Sequence, residues 1–88
     1  MKHYTVDCRR ITTRQELHDV FAETLTLPAW YGRNLDALHD CLTALSEDTY
    51  LMLLHGEWLP RNLSSYGEAA LRMLADATEE NPHFILFR

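Results

Sequence analysis

The segment LPAWYGRNLDALHDCLT, residues 27–43, reads as a turn followed by a helix. Asn34 is a residue type that caps helix N-termini. At about 100° per residue, the apolar side chains fall on one helix face: Leu35, Leu38, Cys41, Leu42 and Leu45. The opposite face carries Asp36, His39, Asp40 and Thr43. Asp36 and Asp40 lie one turn apart, a like-charge spacing that costs about 0.2–0.5 kcal/mol. The pair therefore indicates either a solvated polar face or a surface shaped for a partner.

Upstream of this segment, the sequence predicts a strand and a first helix. Residues 2–6 alternate polar and apolar side chains, which is typical of a strand. Thr12 or Thr13 can cap the helix, and Glu16 follows Thr13 at the spacing of a capping box. Apolar residues then recur at helical spacing: Leu17, Val20, Phe21 and Leu25. We expect the helix to end a few residues before Pro28, which cannot continue it.

Downstream, the pattern predicts a second strand, a further helix and a final strand. YLMLL at residues 50–54 is apolar without alternation and reads as a fully buried strand. Residues 55–63 are interrupted by glycine and proline, and they leave room for a short helical turn. Residues 67–79 have the apolar stripe of a helix, which Asn81-Pro82 stops. Residues 83–88, HFILFR, form the last predicted strand.

The order of these elements predicts an α/β fold. Strands separated by helices favour a three-stranded parallel sheet with right-handed crossovers, packed with three or four helices. The strands are short and apolar, so we expect helices to cover the sheet well. With 88 residues, the chain is long enough for one core, and residues 1–88 are predicted to form a single domain.

The charge balance separates the chain from nucleic-acid-binding proteins. It contains 13 acidic and 8 basic side chains, for a net charge of −5. Nucleic-acid binding needs a basic footprint, which this sequence lacks. An acidic domain instead attracts basic partners, and its long-range field accelerates their encounter.

Cysteine content and hydropathy indicate the cellular compartment of the protein. Cys8 and Cys41 are too few for a disulfide framework and form no CxxC motif, so we expect reduced thiols. The N-terminus MKHYTVDCRR lacks the apolar run of a signal peptide. The longest apolar run, at residues 50–54, is far too short to span a membrane. A cytoplasmic location is the resulting prediction.

Patterns that would support catalysis or a cofactor are weak. His39, Asp40 and Cys41 are consecutive, but neighbouring helix residues point about 100° apart and cannot face one another as a catalytic triad. The five histidines lack HxxxH or HExxH spacing, and no phosphate-binding glycine motif occurs. We therefore predict no cofactor, no metal site and no enzymatic activity. A small hydrolase built on Asp36, Asp40 and His39 is the remote alternative.

Large aromatic residues precede the acidic helix. Trp30 and Tyr31 lie in a turn between Pro28 and Gly32, next to the face that carries the aspartates. Aromatic anchors beside carboxylates are typical of a protein-binding hot spot that meets arginine or lysine. Core packing is the competing interpretation, and we expect at least one of the two rings to be half buried.

Residues 27–43 resemble the signature of the barstar family, intracellular protein inhibitors of secreted microbial ribonucleases. The matching positions are Leu27, Pro28, Tyr31, Gly32, Asn34, Leu35, Asp36, Ala37, Leu38, Asp40, Cys41, Leu42 and Thr43. Weaker similarity extends to Leu17-His18 in the first helix, to the late helix and to the terminal strand. Residues 50–66 do not align clearly.

The resemblance implies a fold and a mode of action. The family fold is a three-stranded parallel sheet packed with helices. Its members plug a ribonuclease active site with the second helix and the preceding loop. By this analogy, Asp40 enters the catalytic pocket and Asp36 supports it. Trp30 and Tyr31 pack on the rim or against the catalytic histidine.

The partner-binding residues implied by the resemblance are Trp30, Tyr31, Asn34, Asp36, His39, Asp40, Thr43, Asp76 and Glu80. Asp76 and Glu80 lie on the late helix and are expected to contact a basic rim. The implied partner is a basic extracellular ribonuclease or a related toxin, without direct binding of nucleic acid or membrane. The alternative is an acidic interaction module of the same fold that binds a different basic protein or a non-ribonuclease toxin.

Several positions depart from the family pattern. His39 stands where the best-known member has tryptophan, and Trp30 stands where tyrosine is common. Arg33 adds positive charge beside the acidic face, and Ala44-Leu45 replace a Gly-Trp pair. These departures imply either a different cognate enzyme or a partner that is not a ribonuclease. Histidine at position 39, between acidic residues, also predicts pH-dependent binding.

Overall fold

The computed structural model describes all 88 residues, which form a three-stranded sheet and four α-helices. The elements in chain order are β1 (Lys2–Asp7), a 3-10 helix (Cys8–Arg10), α1 (Arg14–Leu25), α2 (Leu35–Thr43), β2 (Thr49–Leu54), α3 (Trp58–Leu63), α4 (Ser65–Glu80) and β3 (Phe84–Phe87). The sheet order is β1-β2-β3, and both pairings are parallel. The predicted α/β fold with a parallel sheet is therefore confirmed.

Helices cover only one face of the sheet. Along β2, Leu51 and Leu53 are buried in the core, whereas Met52 and Leu54 are about two-fifths exposed. The prediction of a fully buried second strand was therefore wrong, as was the expectation of a well-covered sheet. The error arose because apolar residues occupy both sides of this strand, so no alternation appears in the sequence. On the open face, the rings of His3, Tyr50 and Phe87 stack in a row across the three strands.

Local capping fixes the starts of the first two helices as the sequence predicts. Thr13 caps α1 by accepting a hydrogen bond from Glu16 N, and the Glu16 carboxylate accepts in return from Thr12 N. Asn34 caps α2 through its side-chain oxygen, which accepts from Ala37 N at 2.7 Å. These contacts satisfy backbone donors that a helix N-terminus otherwise leaves free.

The segment that was ambiguous in the sequence forms the short helix α3. Pro60 lies in its first turn, where a missing N–H costs no intrahelical bond. Gly67 near the start of α4 packs on the Leu59 carbonyl so closely that an added Cβ would lie 2.1 Å from its oxygen. Only glycine fits there, and α3 and α4 consequently meet at a tight corner.

A buried asparagine joins the ends of α2 and α4. Asn81 is 5% exposed, and its Nδ2 donates to the carbonyls of Leu42 at 2.9 Å and Leu45 at 3.0 Å. Its Oδ1 accepts from His83 N at 3.0 Å. One amide thus satisfies carbonyls at the end of α2 and anchors that helix beside α4. None of the helices combines the length and the apolar character needed to cross a membrane.

Candidate functional site

Helix α2 separates a core face from a polar face. Leu38 and Leu42 are fully buried in the hydrophobic core, whereas Asp36 and Asp40 are exposed to solvent. The Asp40 side chain retains 84% of its accessible surface. The two aspartates therefore project away from the protein, and both carboxylates are available to a partner.

Helix α4 adds two more carboxylates beside this face. Asp76 and Glu80 are both exposed. A groove of about 360 Å³, here termed the α2–α4 groove, separates the two helices; its lining residues are Leu35, Asp36, His39, Ala69, Arg72, Met73 and Asp76. The fold therefore brings Asp36 and Asp76, which are 40 positions apart in the sequence, to the walls of the same groove.

The structure gathers Asp36, His39, Asp40, Asp76 and Glu80 into one surface, here termed the acidic face. No lysine or arginine forms an ion pair with any of its four carboxylates. Arg72 lines the α2–α4 groove but makes no ion pair within 4 Å. The acidic face therefore carries negative charge that cationic side chains of the chain itself leave largely uncompensated.

His39 links the two helices of the acidic face. Its Nε2 donates to Glu80 Oε2 on α4, and its Nδ1 lies 3.7 Å from Asp40 Oδ1. The hydrogen bond to Glu80, together with the charges of Glu80 and Asp40, raises the pKa of His39 above its usual range. His39 is consequently the one group of the acidic face that can gain positive charge near neutral pH.

The two loop aromatics have opposite environments. Trp30 is 81% exposed, whereas Tyr31 is 6% exposed and belongs to the core cluster. The expectation that one of the two rings would be at least half buried is confirmed, with Tyr31 as the buried ring. A notch of about 320 Å³ lies between this loop and α2; its lining residues are Trp30, Tyr31, Gly32, Ala37, Asp40, Cys41 and Ala44. Trp30 and Asp40 therefore line the same small concave site.

A buried histidine, for which the sequence predicted no role, fixes the loop that carries Trp30 and Tyr31, here termed the aromatic loop. His18 is 3% exposed, and its Nδ1 lies 2.6 Å from the Tyr31 hydroxyl. Its Nε2 lies 2.7 Å from the hydroxyl of Tyr66 on α4. These partners are 13 and 48 positions away in sequence, so no local pattern could reveal the network. This network attaches the loop that carries Trp30 to both α1 and α4.

Arg33 points away from the acidic face. Its guanidinium forms a hydrogen-bonded ion pair with Asp19 on α1. The backbone of Arg33 has a positive φ of 56°, a conformation that is uncommon for residues other than glycine. The positive charge that the sequence places beside Asp36 is therefore paired with α1, and it ties the aromatic loop to that helix.

Asn34 and Thr43 mark the two ends of α2. Besides its capping oxygen, Asn34 uses Nδ2 to donate to Gly32 O at 3.2 Å. The Thr43 hydroxyl donates to His39 O at 2.9 Å. Both side chains therefore have structural partners within the chain, and each lies one turn or less from an acidic residue.

Chemistry based on Cys41 or on a metal finds little support in this geometry. Cys41 is half buried, and burial raises the pKa of its thiol, which disfavours the nucleophilic thiolate. No group of three or more histidine, cysteine, aspartate or glutamate side chains is arranged to hold a metal ion. What the surface offers is charge, an exposed indole and two concave sites, which are features of protein recognition.

Comparison with known proteins finds a matching family and a similar Bacillus subtilis protein. The family described as "Barstar (barnase inhibitor)" matches residues 1–87 of the chain. A Bacillus subtilis (strain 168) protein named "Putative ribonuclease inhibitor YrdF" is 37% identical over 81 residues. The aligned region covers 91% of this chain and 89% of that protein. Both descriptions point to an inhibitor rather than a catalyst.

Proposed function

The chain belongs to the barstar family, and on that premise we propose that it inhibits a cognate basic ribonuclease by covering the active site. In this proposal the acidic face and Trp30 form the contact surface, and the protein itself has no enzymatic activity. It acts as a single domain of residues 1–88 in the cytoplasm, where its free thiols Cys8 and Cys41 remain reduced.

The observation that carries the proposal is the uncompensated negative charge of two adjacent helices. A ribonuclease active site binds the RNA phosphate backbone, so it concentrates cationic side chains in a cleft. Carboxylates form charge-assisted hydrogen bonds with such cations, most strongly with arginine. Asp36, Asp40 and Asp76 project into solvent without lysine or arginine partners, and the net charge of −5 adds long-range attraction to a basic enzyme.

The individual residues take distinct roles in this proposal. Asp40, whose side chain is 84% exposed, enters the catalytic pocket, with Asp36 in support. Asp76 and Glu80 meet the basic rim from α4. The remaining contacts lie at the edges of α2 and in its preceding loop: Trp30, Tyr31, Asn34, His39 and Thr43.

Trp30 and the adjacent notch supply the apolar part of the contact. An indole that is 81% exposed in the free chain can bury a large apolar surface when a partner docks. The notch has apolar walls and the Asp40 carboxylate in its lining, so it suits a side chain with a flat body and a positive charge. A histidine or an arginine from the active site of the ribonuclease has this character. Tyr31, which is buried, contributes to the notch as a wall rather than as an exposed anchor.

The direct test measures RNA cleavage with and without the chain. We would use barnase and a panel of other basic secreted ribonucleases, and the chain alone serves as a control for turnover. Asp40→Ala is expected to weaken inhibition by at least about 30-fold, the loss typical of truncating one partner of a desolvated charge pair. Glu23→Ala, which removes an exposed carboxylate on α1, is the matched control and should inhibit like the wild type.

Two results would contradict the proposal. The first is an equal inhibition constant for the wild type and Asp40→Ala, because it would remove the acidic face from the contact. The second is the absence of inhibition across the panel combined with tight binding to a basic protein that does not cleave RNA. That second result would instead identify an acidic interaction module of the same fold.

A further inference from the structure

The link between His39 and Glu80 joins a titratable side chain to the surface that faces the partner. His39 lies on α2 and bonds Glu80 on α4, and its side chain retains 30% of its accessible surface. It also lies 3.7 Å from an oxygen of Asp40. A histidine therefore contacts two of the four carboxylates that the proposed function assigns to a cationic cleft.

The charged groups around His39 favour its protonated form in the free chain. From α2, Asp36 and Asp40 share its polar surface, and from α4 the groups are Arg72, Asp76 and Glu80. Four carboxylates thus outweigh one guanidinium. The direct hydrogen bond to Glu80 provides the strongest single contact.

We propose that protonated His39 holds the Glu80 carboxylate by a hydrogen bond, here termed the clamp, and that this bond weakens docking of the ribonuclease. This inference rests on the proposed function and adds a regulation to the same surface. It predicts that the inhibitor binds more tightly at neutral pH than at mildly acidic pH. It also assigns to position 39 a positioning role, exerted through Glu80 and Asp40.

The direction of the pH dependence follows from competition between His39 and the ribonuclease for the same carboxylates. In the free chain, Glu80 and Asp40 stabilise the imidazolium. In the complex, cations of the ribonuclease take over these carboxylates and place positive charge near His39, so the imidazolium is disfavoured and a proton is released. By linkage, the protonated inhibitor must bind more weakly by the same factor. Affinity is therefore constant above the free-chain pKa of His39 and falls as the pH drops below it.

The test compares the affinities of four proteins for barnase, or for the ribonuclease of the panel that the chain inhibits most strongly, from about pH 5.5 to about pH 8. They are the wild type, His39→Gln, His39→Lys and His83→Gln. Glutamine keeps a neutral donor for Glu80, and lysine keeps a permanent charge. His83, which lies 2.9 Å from Asp48, is a matched histidine–carboxylate pair outside the acidic face.

The expected readout is the difference between the pH profiles of the wild type and His39→Gln. Titration of the ribonuclease contributes equally to both profiles and therefore cancels in this difference. Between the two ends of the range, wild-type affinity should fall by at least about fivefold more than that of His39→Gln. His39→Lys should bind weakly throughout, and His83→Gln should follow the wild type. Calorimetry in buffers of different ionisation enthalpy should detect protons released on binding by the wild type and fewer by His39→Gln.

The outcomes separate this inference from the proposed function. Parallel profiles and equal proton release for the wild type and His39→Gln would overturn the clamp while leaving inhibition intact. Weak binding by His39→Gln at every pH, with a pH profile parallel to that of the wild type, would also overturn it, because His39 would then act only as a direct contact. Failure of all four proteins to bind any ribonuclease of the panel would contradict the proposed function itself.

Discussion

The hydroxyl of Tyr31 lies 2.6 Å from Nδ1 of His18, and this hydrogen bond attaches the aromatic loop to helix α1. The opposite ring nitrogen of His18 reaches Tyr66 on α4. Burial lowers the pKa of His18, with a smaller contribution from the positive charge of Arg33, so the imidazole is neutral at pH 7. A neutral imidazole has one donor and one acceptor nitrogen, and one tyrosine hydroxyl therefore donates while the other accepts.

Removal of the Tyr31 hydroxyl should destabilise the fold. Tyr31→Phe leaves a buried nitrogen of His18 without a partner, and we expect a loss of about 1–3 kcal/mol in the free energy of unfolding. Tyr66→Phe is the control, because this tyrosine is only partly buried and water can replace its hydroxyl. Urea unfolding measures both. Equal stability of Tyr31→Phe and the wild type would contradict the structural role of the bond.

Two histidines should contribute to the pH dependence of stability with opposite signs. His18 has a lowered pKa when folded, so the stability that depends on its neutral form is lost as the pH falls below about 6.5, the usual histidine value. His39 has a raised pKa when folded, so its contribution is fully present below about 6.5 and is lost as the pH rises through that raised value.

The His39→Gln variant separates these contributions. It removes the stabilisation that protonated His39 provides, so its loss of stability on acidification should be steeper than that of the wild type. Urea unfolding from about pH 6 to about pH 8 provides the measurement. The difference in the free energy of unfolding between the two proteins should shrink as the pH rises. A difference that stays constant would remove His39 as a source of pH-dependent stability.

Asp36→Ala should separate binding from folding. The substitution relieves the like-charge spacing to Asp40, and it also removes a carboxylate that interacts favourably with the N-terminus of α2. These effects oppose each other, so we expect a stability change within about 0.5 kcal/mol. Inhibition should nevertheless weaken clearly. Thermal unfolding and an inhibition assay on the same preparation provide the check, and unaltered inhibition would remove Asp36 from the contact.

Asn81→Ala should loosen the attachment of α2 to α4. The change leaves the Leu42 and Leu45 carbonyls and the His83 N–H without their side-chain partner. We expect a loss of at least about 2 kcal/mol, since one buried and two partly buried hydrogen bonds to the backbone are lost. Asn62→Ala provides the comparison, because Asn62 makes a single, partly buried hydrogen bond to Ile11 O. A loss no larger than that of Asn62→Ala would contradict the proposed anchoring.

Features that depend on neighbouring residues could be predicted from the sequence. Thr13 and Asn34 cap their helices as expected, because capping requires only a suitable side chain three positions before a free backbone N–H. The polar face of α2 also follows from helical geometry, which places Asp36 and Asp40 opposite Leu38 and Leu42. These local rules account for the helix that carries most of the candidate site.

Features that depend on tertiary contacts could not be predicted in this way. The exposure of Met52 depends on which side of β2 the helices cover, and apolar residues on both sides conceal this. The direction of Arg33 depends on a positive φ and on Asp19, which lies 14 positions away. The bond between His39 and Glu80 requires α2 and α4 to be adjacent, which only the folded topology provides.

The two sides of helix α2 can evolve at different rates. Substitutions at Asp36 and Asp40 alter the solvent side, while Leu38 and Leu42 preserve the interior. Because exposed replacements on such a helix cost little folding energy, target choice can drift without loss of the scaffold. Divergence among inhibitors built in this way is therefore expected to concentrate at the outward positions of a single helix.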